Sequence, residues 1–90
     1  MEAVEAVKYV TITEATYTAA KTGAGILYRI VVNGGTLGPI MVYDADSVSG
    51  IPITTITHPE PGMVLQYGVE FATGLAIVTT ADTNINVAFY

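Results

Sequence analysis

The sequence predicts an all-β chain, folded as a two-layer antiparallel β-sandwich of jelly-roll or Ig-like type. About eight short strands and no substantial helix are expected. Three observations carry this. β-Branched and aromatic residues, which suit a pleated and half-buried surface, outnumber the straight-chain helix formers. Nine glycines and four prolines punctuate the 90 residues at short intervals. Between them, apolar and polar residues alternate with a period of two. With no helix to cover a sheet, the core has to lie between two sheets.

The elements follow in order. Residues 1–7 repeat Glu-Ala-Val with a period of three, which fits a strand poorly, and they read as an N-terminal arm on a single domain spanning 1–90. Lys8 to Thr13 turns strand-like, with Val10 and Ile12 on one face and Tyr9 and Thr11 on the other. Ala15 to Ala20 is a second extended piece centred on Tyr17. After a turn at Thr22–Gly25 comes the strongest strand, Ile26 to Val32, apolar on both faces. Strict alternation places Ile26, Tyr28, Ile30 and Val32 on one side and Leu27, Arg29 and Val31 on the other. Asn33-Gly34-Gly35 is a turn signal, because Asn and Gly accept positive φ. Pro39 to Tyr43 returns with Ile40 and Val42 inward. Ile51 to Thr57 follows a polar loop, and Pro52 marks it as an edge strand or strand start. The Pro-rich stretch His58–Gly62 is a loop. Met63 to Tyr67 and Val69 to Phe71 are short strands broken at Gly68. Leu75 to Thr80 and Ile85 to Phe89 read as a closing hairpin.

Composition narrows the function classes. Apolar residues make up 51% of the chain and charged residues 12%, against about 25% charged in ordinary soluble domains. A chain this short has little interior, so part of the apolar surface is expected to meet another copy or another protein. Three basic residues against eight acidic ones give a net charge of −5. Phosphate backbones and anionic membrane surfaces need clustered Lys and Arg, so direct nucleic-acid and membrane binding are not expected. No run approaches the ~18 apolar residues of a membrane span, and Glu2 and Glu5 spoil a signal-peptide start, so a chain made in the cytoplasm is expected. The absence of cysteine removes disulfides, thiolate metal sites and cysteine nucleophiles together.

No residue set assembles into a catalytic constellation, so the chain is not expected to be an enzyme or to carry a cofactor. His58, the single histidine, sits beside Glu60, two ligands where a metal site needs three or four. Asp44-Ala45-Asp46-Ser47 resembles the opening of a calcium loop, but Val48 takes a ligand position and no bidentate acid follows. Ser47 and Ser49 lack a nucleophile elbow. Asp44 with Glu70 is the one conceivable carboxylate pair for glycoside hydrolysis. Gly34-Gly35 precedes no helix and is no phosphate cradle. Six tyrosines raise a carbohydrate-binding alternative. Tyr9, Tyr17, Tyr67 and Tyr90 are the freer ones, and the first three form the candidate ligand surface. Interface packing is favoured over sugar stacking, since aromatic residues are enriched at protein interfaces and this chain has no Trp. The candidate oligomer interface combines Leu27, Arg29 and Val31 with Val4 and Val7 of the arm.

From Gly25 onward the chain resembles small virion-associated proteins of tailed bacteriophages. The resemblance runs through GILYRIVVN (Gly25–Asn33), PIMVYD (Pro39–Asp44), IPIT (Ile51–Thr54), GVEFATGLAIVTT (Gly68–Thr80) and INVAFY (Ile85–Tyr90). Its most particular pieces are Val42–Asp44, the Phe71–Leu75 corner and the terminal strand ending on Tyr90. It implies a non-enzymatic structural virion component, a capsid decoration or accessory protein, that forms a homo-oligomer (trimer or higher) and contacts other virion proteins. A small β-sandwich module binding carbohydrate or peptide is the alternative.

Overall fold

A computed structural model describes residues 7–45 and 51–90. They form eight strands: β1 (Lys8–Ile12), β2 (Tyr17–Thr22), β3 (Gly25–Gly35), β4 (Ile40–Asp44), β5 (Ile51–Ile56), β6 (Val64–Phe71), β7 (Gly74–Thr79) and β8 (Thr83–Phe89). The strands make two antiparallel four-stranded sheets, the first ordered β1-β8-β3-β6 and the second β2-β7-β4-β5.

The connectivity is that of a jelly roll. β1 pairs with β8, β2 with β7, β3 with β6 and β4 with β5, so the chain is one long antiparallel ribbon whose tip lies between β4 and β5. Rolling that ribbon adds the β3–β8 and β4–β7 pairings and closes the two sheets. Every connection except β4–β5 therefore crosses from one sheet to the other. This corrects two expectations. β7 and β8 are not a hairpin but neighbours in sequence that lie in different sheets. Likewise β3 does not turn back at Asn33-Gly34-Gly35. It runs on through a register shift to pair Gly35 with Thr83. Gly35 has φ +80°, and a Cβ there would meet the Asp82 carbonyl oxygen. The pair of short strands expected around Gly68 is one strand, β6, which passes Gly68 at φ +74°.

The core lies between the sheets. Leu27, Ile30, Val32, Ile85 and Val87 of the first sheet face Ile40, Val42, Leu75 and Ile77 of the second, all fully buried. Leu27 is the main correction to strict alternation. The register of β3 shifts between Leu27, paired with Val69 and Phe89, and Arg29, paired with Gln66 and Ala88. Against β8, Tyr28 is thus the extra residue of a bulge that moves Leu27 onto the inward face with Ile30 and Val32, while against β6 the extra residue lies on β6, where Tyr67 and Gly68 oppose Tyr28. Arg29 and Val31 stay on the outward face. Two buried polar side chains, Thr79 and Thr83, satisfy backbone groups of crossing connections. The Thr79 hydroxyl donates to the Glu14 carbonyl at 2.6 Å and accepts from the Thr16 amide at 3.1 Å. The Thr83 hydroxyl donates to the Thr36 carbonyl at 2.7 Å.

Candidate functional site

The outer face of the second sheet is built from residues that alternate with the core. Register aligns Tyr17, Val78, Met41 and Thr55 across β2, β7, β4 and β5. The next row is Ala19, Ala76, Tyr43 and Pro52. Neither row carries a charged residue. The Tyr43 hydroxyl donates to the Met41 sulfur at 3.6 Å, a local partner that leaves the two rows predominantly apolar. Tyr17, Met41, Tyr43 and Val78 are half-buried, while Ala19, Pro52 and Thr55 are exposed. Sequence reasoning missed this face, although its signal was present. In β4 and β7 the residues between the core positions, Met41, Tyr43, Ala76 and Val78, are apolar too, the same two-sided pattern noticed in β3.

The outer face of the first sheet differs. One row is Tyr9, Ala88, Arg29 and Gln66, and the next is Thr11, Asn86, Val31 and Val64. The Thr11 hydroxyl donates to Asn86 Oδ1 at 2.8 Å, and Asn33 Nδ2 donates to Asn84 Oδ1 at 3.1 Å. The Arg29 guanidinium lies 4.8 Å from the centroid of the Tyr28 ring, a cation–π contact, and its buried Nε has no hydrogen-bond partner among the described residues. Tyr28 in turn meets Tyr90 edge-on, with centroids 5.9 Å apart.

The candidate interface residues thus separate. Arg29 and Val31 lie on the outer face of the first sheet, and the exposed Val7 immediately precedes β1. Leu27 is fully buried and unavailable to a partner, and Val4 lies outside the described residues. The three candidate ligand tyrosines do not share a surface either. Tyr9, 70% exposed, is on the first outer face, and Tyr17 is on the second. Tyr67 points inward, its hydroxyl donating to Thr54 Oγ1 across the sandwich at 3.5 Å.

Asp44 and Glu70 do line one open cleft of about 580 Å³, with Lys21, Phe71 and Tyr90, at the end of the sandwich. The Asp44 carboxylate is already committed to the chain. It accepts from the amides of Ala72 at 3.0 Å, Thr73 at 2.9 Å and Gly74 at 3.4 Å, closing the β6–β7 turn. These amide donors, that of Ala72 foremost, hold its pKa below the ordinary value of 3.8. A carboxyl held ionised by a turn is not the raised-pKa proton donor that glycoside hydrolysis needs. His58 is exposed at the opposite end, beside Leu37 and Pro39. Among the described residues no group of three or more His, Cys, Asp or Glu side chains is placed to hold a metal. Asp46, Ser47 and Ser49 lie outside the described residues.

Compared with protein-family models, curated proteins and solved structures, the chain gives no significant match.

Proposed function

We propose that this chain is a non-enzymatic structural component of a bacteriophage virion, a capsid decoration or accessory protein, that works by assembling with copies of itself. The observation that carries the assembly reading is the uncharged outer face of the second sheet. A monomer with a net charge of −5 has the acids to solvate an outer face, yet Tyr17, Ala19, Met41, Tyr43, Pro52 and Val78 stand there instead. A contiguous apolar patch of this kind marks a contact surface. Placing the contact there also keeps the like charges of two copies apart.

The virion assignment rests on the resemblance of Gly25–Tyr90 to small phage virion proteins. The jelly-roll topology is in keeping with it, because that fold serves viral capsid proteins as well as lectins and cupins, an analogy at the level of fold. The separation of Tyr9, Tyr17 and Tyr67 onto different surfaces favours self-assembly over a carbohydrate-binding module, the alternative reading. Size exclusion with light scattering tests the assembly reading directly. A mass of three or more chains at micromolar concentration is expected, and a clean monomer overturns it.

A further inference from the structure

We infer that Asn33 is a site of spontaneous deamidation in the folded chain, opened by a bulge in β3 and held back by one hydrogen bond to Asn84. The reaction takes place within a single chain, so it goes beyond the assembly reading and does not rest on it.

The chain has three asparagines, all in the first sheet: Asn33 in β3, and Asn84 and Asn86 in β8. Asn84 and Asn86 are followed by Ile85 and Val87, both fully buried. A β-branched side chain there is stiff and crowds the backbone amide that follows the asparagine. Both also stand in register, Asn84 with Gly34 and Asn86 between Thr11 and Val31. Asn33 differs on each count. It is followed by Gly34, and among the described residues nothing stands within 4 Å of where a Gly34 Cβ would be. The pairing of β3 with β8 shifts between Val32, opposite Ile85, and Gly34, opposite Asn84, so Asn33 is an extra residue with no partner on β8. The pairing with β6 has already ended at Val31. The strand itself stops at Gly35, and Asn33 is exposed to water.

Asparagine is among the chemically labile residues, and the chemistry here is internal to the backbone. A bond forms between the Gly34 backbone nitrogen and Asn33 Cγ, the Cγ–Nδ2 bond breaks, and Nδ2 leaves as ammonia with the Gly34 amide proton. Water then opens the succinimide ring. Entry at Cγ gives an aspartate at this position. Entry at the main-chain carbonyl gives an isoaspartate, whose backbone runs through the former side chain and is one carbon longer. The restraint on the side chain is its own amide, since Asn33 Nδ2 donates to Asn84 Oδ1 at 3.1 Å. An exposed hydrogen bond of this kind slows the turn toward Gly34 by no more than about tenfold. The longer backbone does its damage further along. Gly35 packs against the Asp82 carbonyl, to which the Thr36 amide donates at 3.1 Å, and the Thr83 hydroxyl donates to the Thr36 carbonyl at 2.7 Å. An added carbon just before these residues pushes them out of register and loosens the crossing from β3 to β4.

Incubating the full folded chain at mildly alkaline pH, then sequencing it by fragment-ion mass spectrometry, reads the amide-to-acid change at each asparagine. Asn33 is expected to convert about tenfold or more faster than Asn84 and Asn86. Its rate in the folded chain should lie within about tenfold of its rate in the urea-unfolded chain. Asn84→Ala removes the restraint and should speed conversion at Asn33 roughly twofold to tenfold. Asn33→Gln, whose longer side chain closes the ring poorly, should abolish it. In the isoaspartyl product, separated by chromatography, amide exchange at Thr36 and Thr83 should quicken while the amides shared by β4 and β5 keep their rates. A folded-chain rate more than about tenfold below the unfolded one overturns the inference, because the bulge would then protect Asn33 rather than open it. Conversion at Asn33 no faster than at Asn86, or an unchanged rate in Asn84→Ala, overturns it as well. If Asn84→Ala does not fold, the comparison of folded with unfolded chain decides alone.

Discussion

The two outer faces come from sheets of equal size and the same fold, yet they are finished differently. On the first sheet, Asn33, Asn84, Asn86 and Thr11 bond to one another along the surface, and Arg29 covers the Tyr28 ring. On the second, the two central rows present Tyr, Met, Val, Ala and Pro and no charge. Sheet topology demands neither finish, since only the inward positions have to be apolar. The first face sets these polar pairs beside exposed Tyr9 and Val64, whereas the second carries the uncharged rows to which the proposed self-contact is assigned.

The largest effect should separate inside from outside within β3. Leu27→Ala empties a fully buried position and is expected to cost about 2–5 kcal/mol in urea unfolding. Val31→Ala, four residues on and facing out, should stay within about 0.5 kcal/mol in the same measurement. Equal costs would show that the Tyr28 bulge does not set the facing of this strand. The next effect separates the two outer faces. Met41→Lys is expected to weaken self-association about tenfold or more by light scattering, with little change in melting temperature. Asn86→Lys, at a comparable position on the first sheet, should leave the mass unchanged, and matching responses would erase the contrast between the faces.

The smallest effect lies where the sheets meet at the β6–β7 turn. Because the folded pKa of Asp44 is depressed, its contribution is present above the ordinary carboxylate value and lost as pH falls through the folded one. Asp44→Asn should therefore lower the urea midpoint at neutral pH. The gap to the unaltered chain should shrink as pH drops below 3.8. A gap that stays constant into acid would assign the residue a role in packing rather than in charge.

Strand positions were readable from the chain because period-two alternation and Gly or Pro breaks act locally, and all eight strands begin within two residues of where the pattern places them. Sheet membership was not. A strand shows the same alternation whether its neighbour in sequence pairs with it or crosses the sandwich, so β7 and β8 looked like a hairpin. The facing of Leu27 was hidden for a related reason: a bulge is one extra residue, and nothing in Leu-Tyr-Arg marks which residue is the extra one. The role of Asp44 was concealed by its neighbour Asp46, which made a turn clamp look like the start of a calcium loop. The uncharged outer face could be assembled only after register had placed Tyr17, Val78 and Met41 side by side.

The ribbon topology also has a consequence for synthesis. β1 is made before the other seven strands described, yet its pairing partner is β8, the last of the eight. β2 waits for β7 and β3 for β6 in the same nested order, and only β4 and β5 are neighbours in both sequence and space. Pairings this distant along the chain make for slow folding. The order of closure runs from the tip of the ribbon outward, and the first sheet cannot be completed until β8 has been made. Any copy whose β1 finds another chain's β8 before its own would exchange that strand and emerge as a swapped dimer.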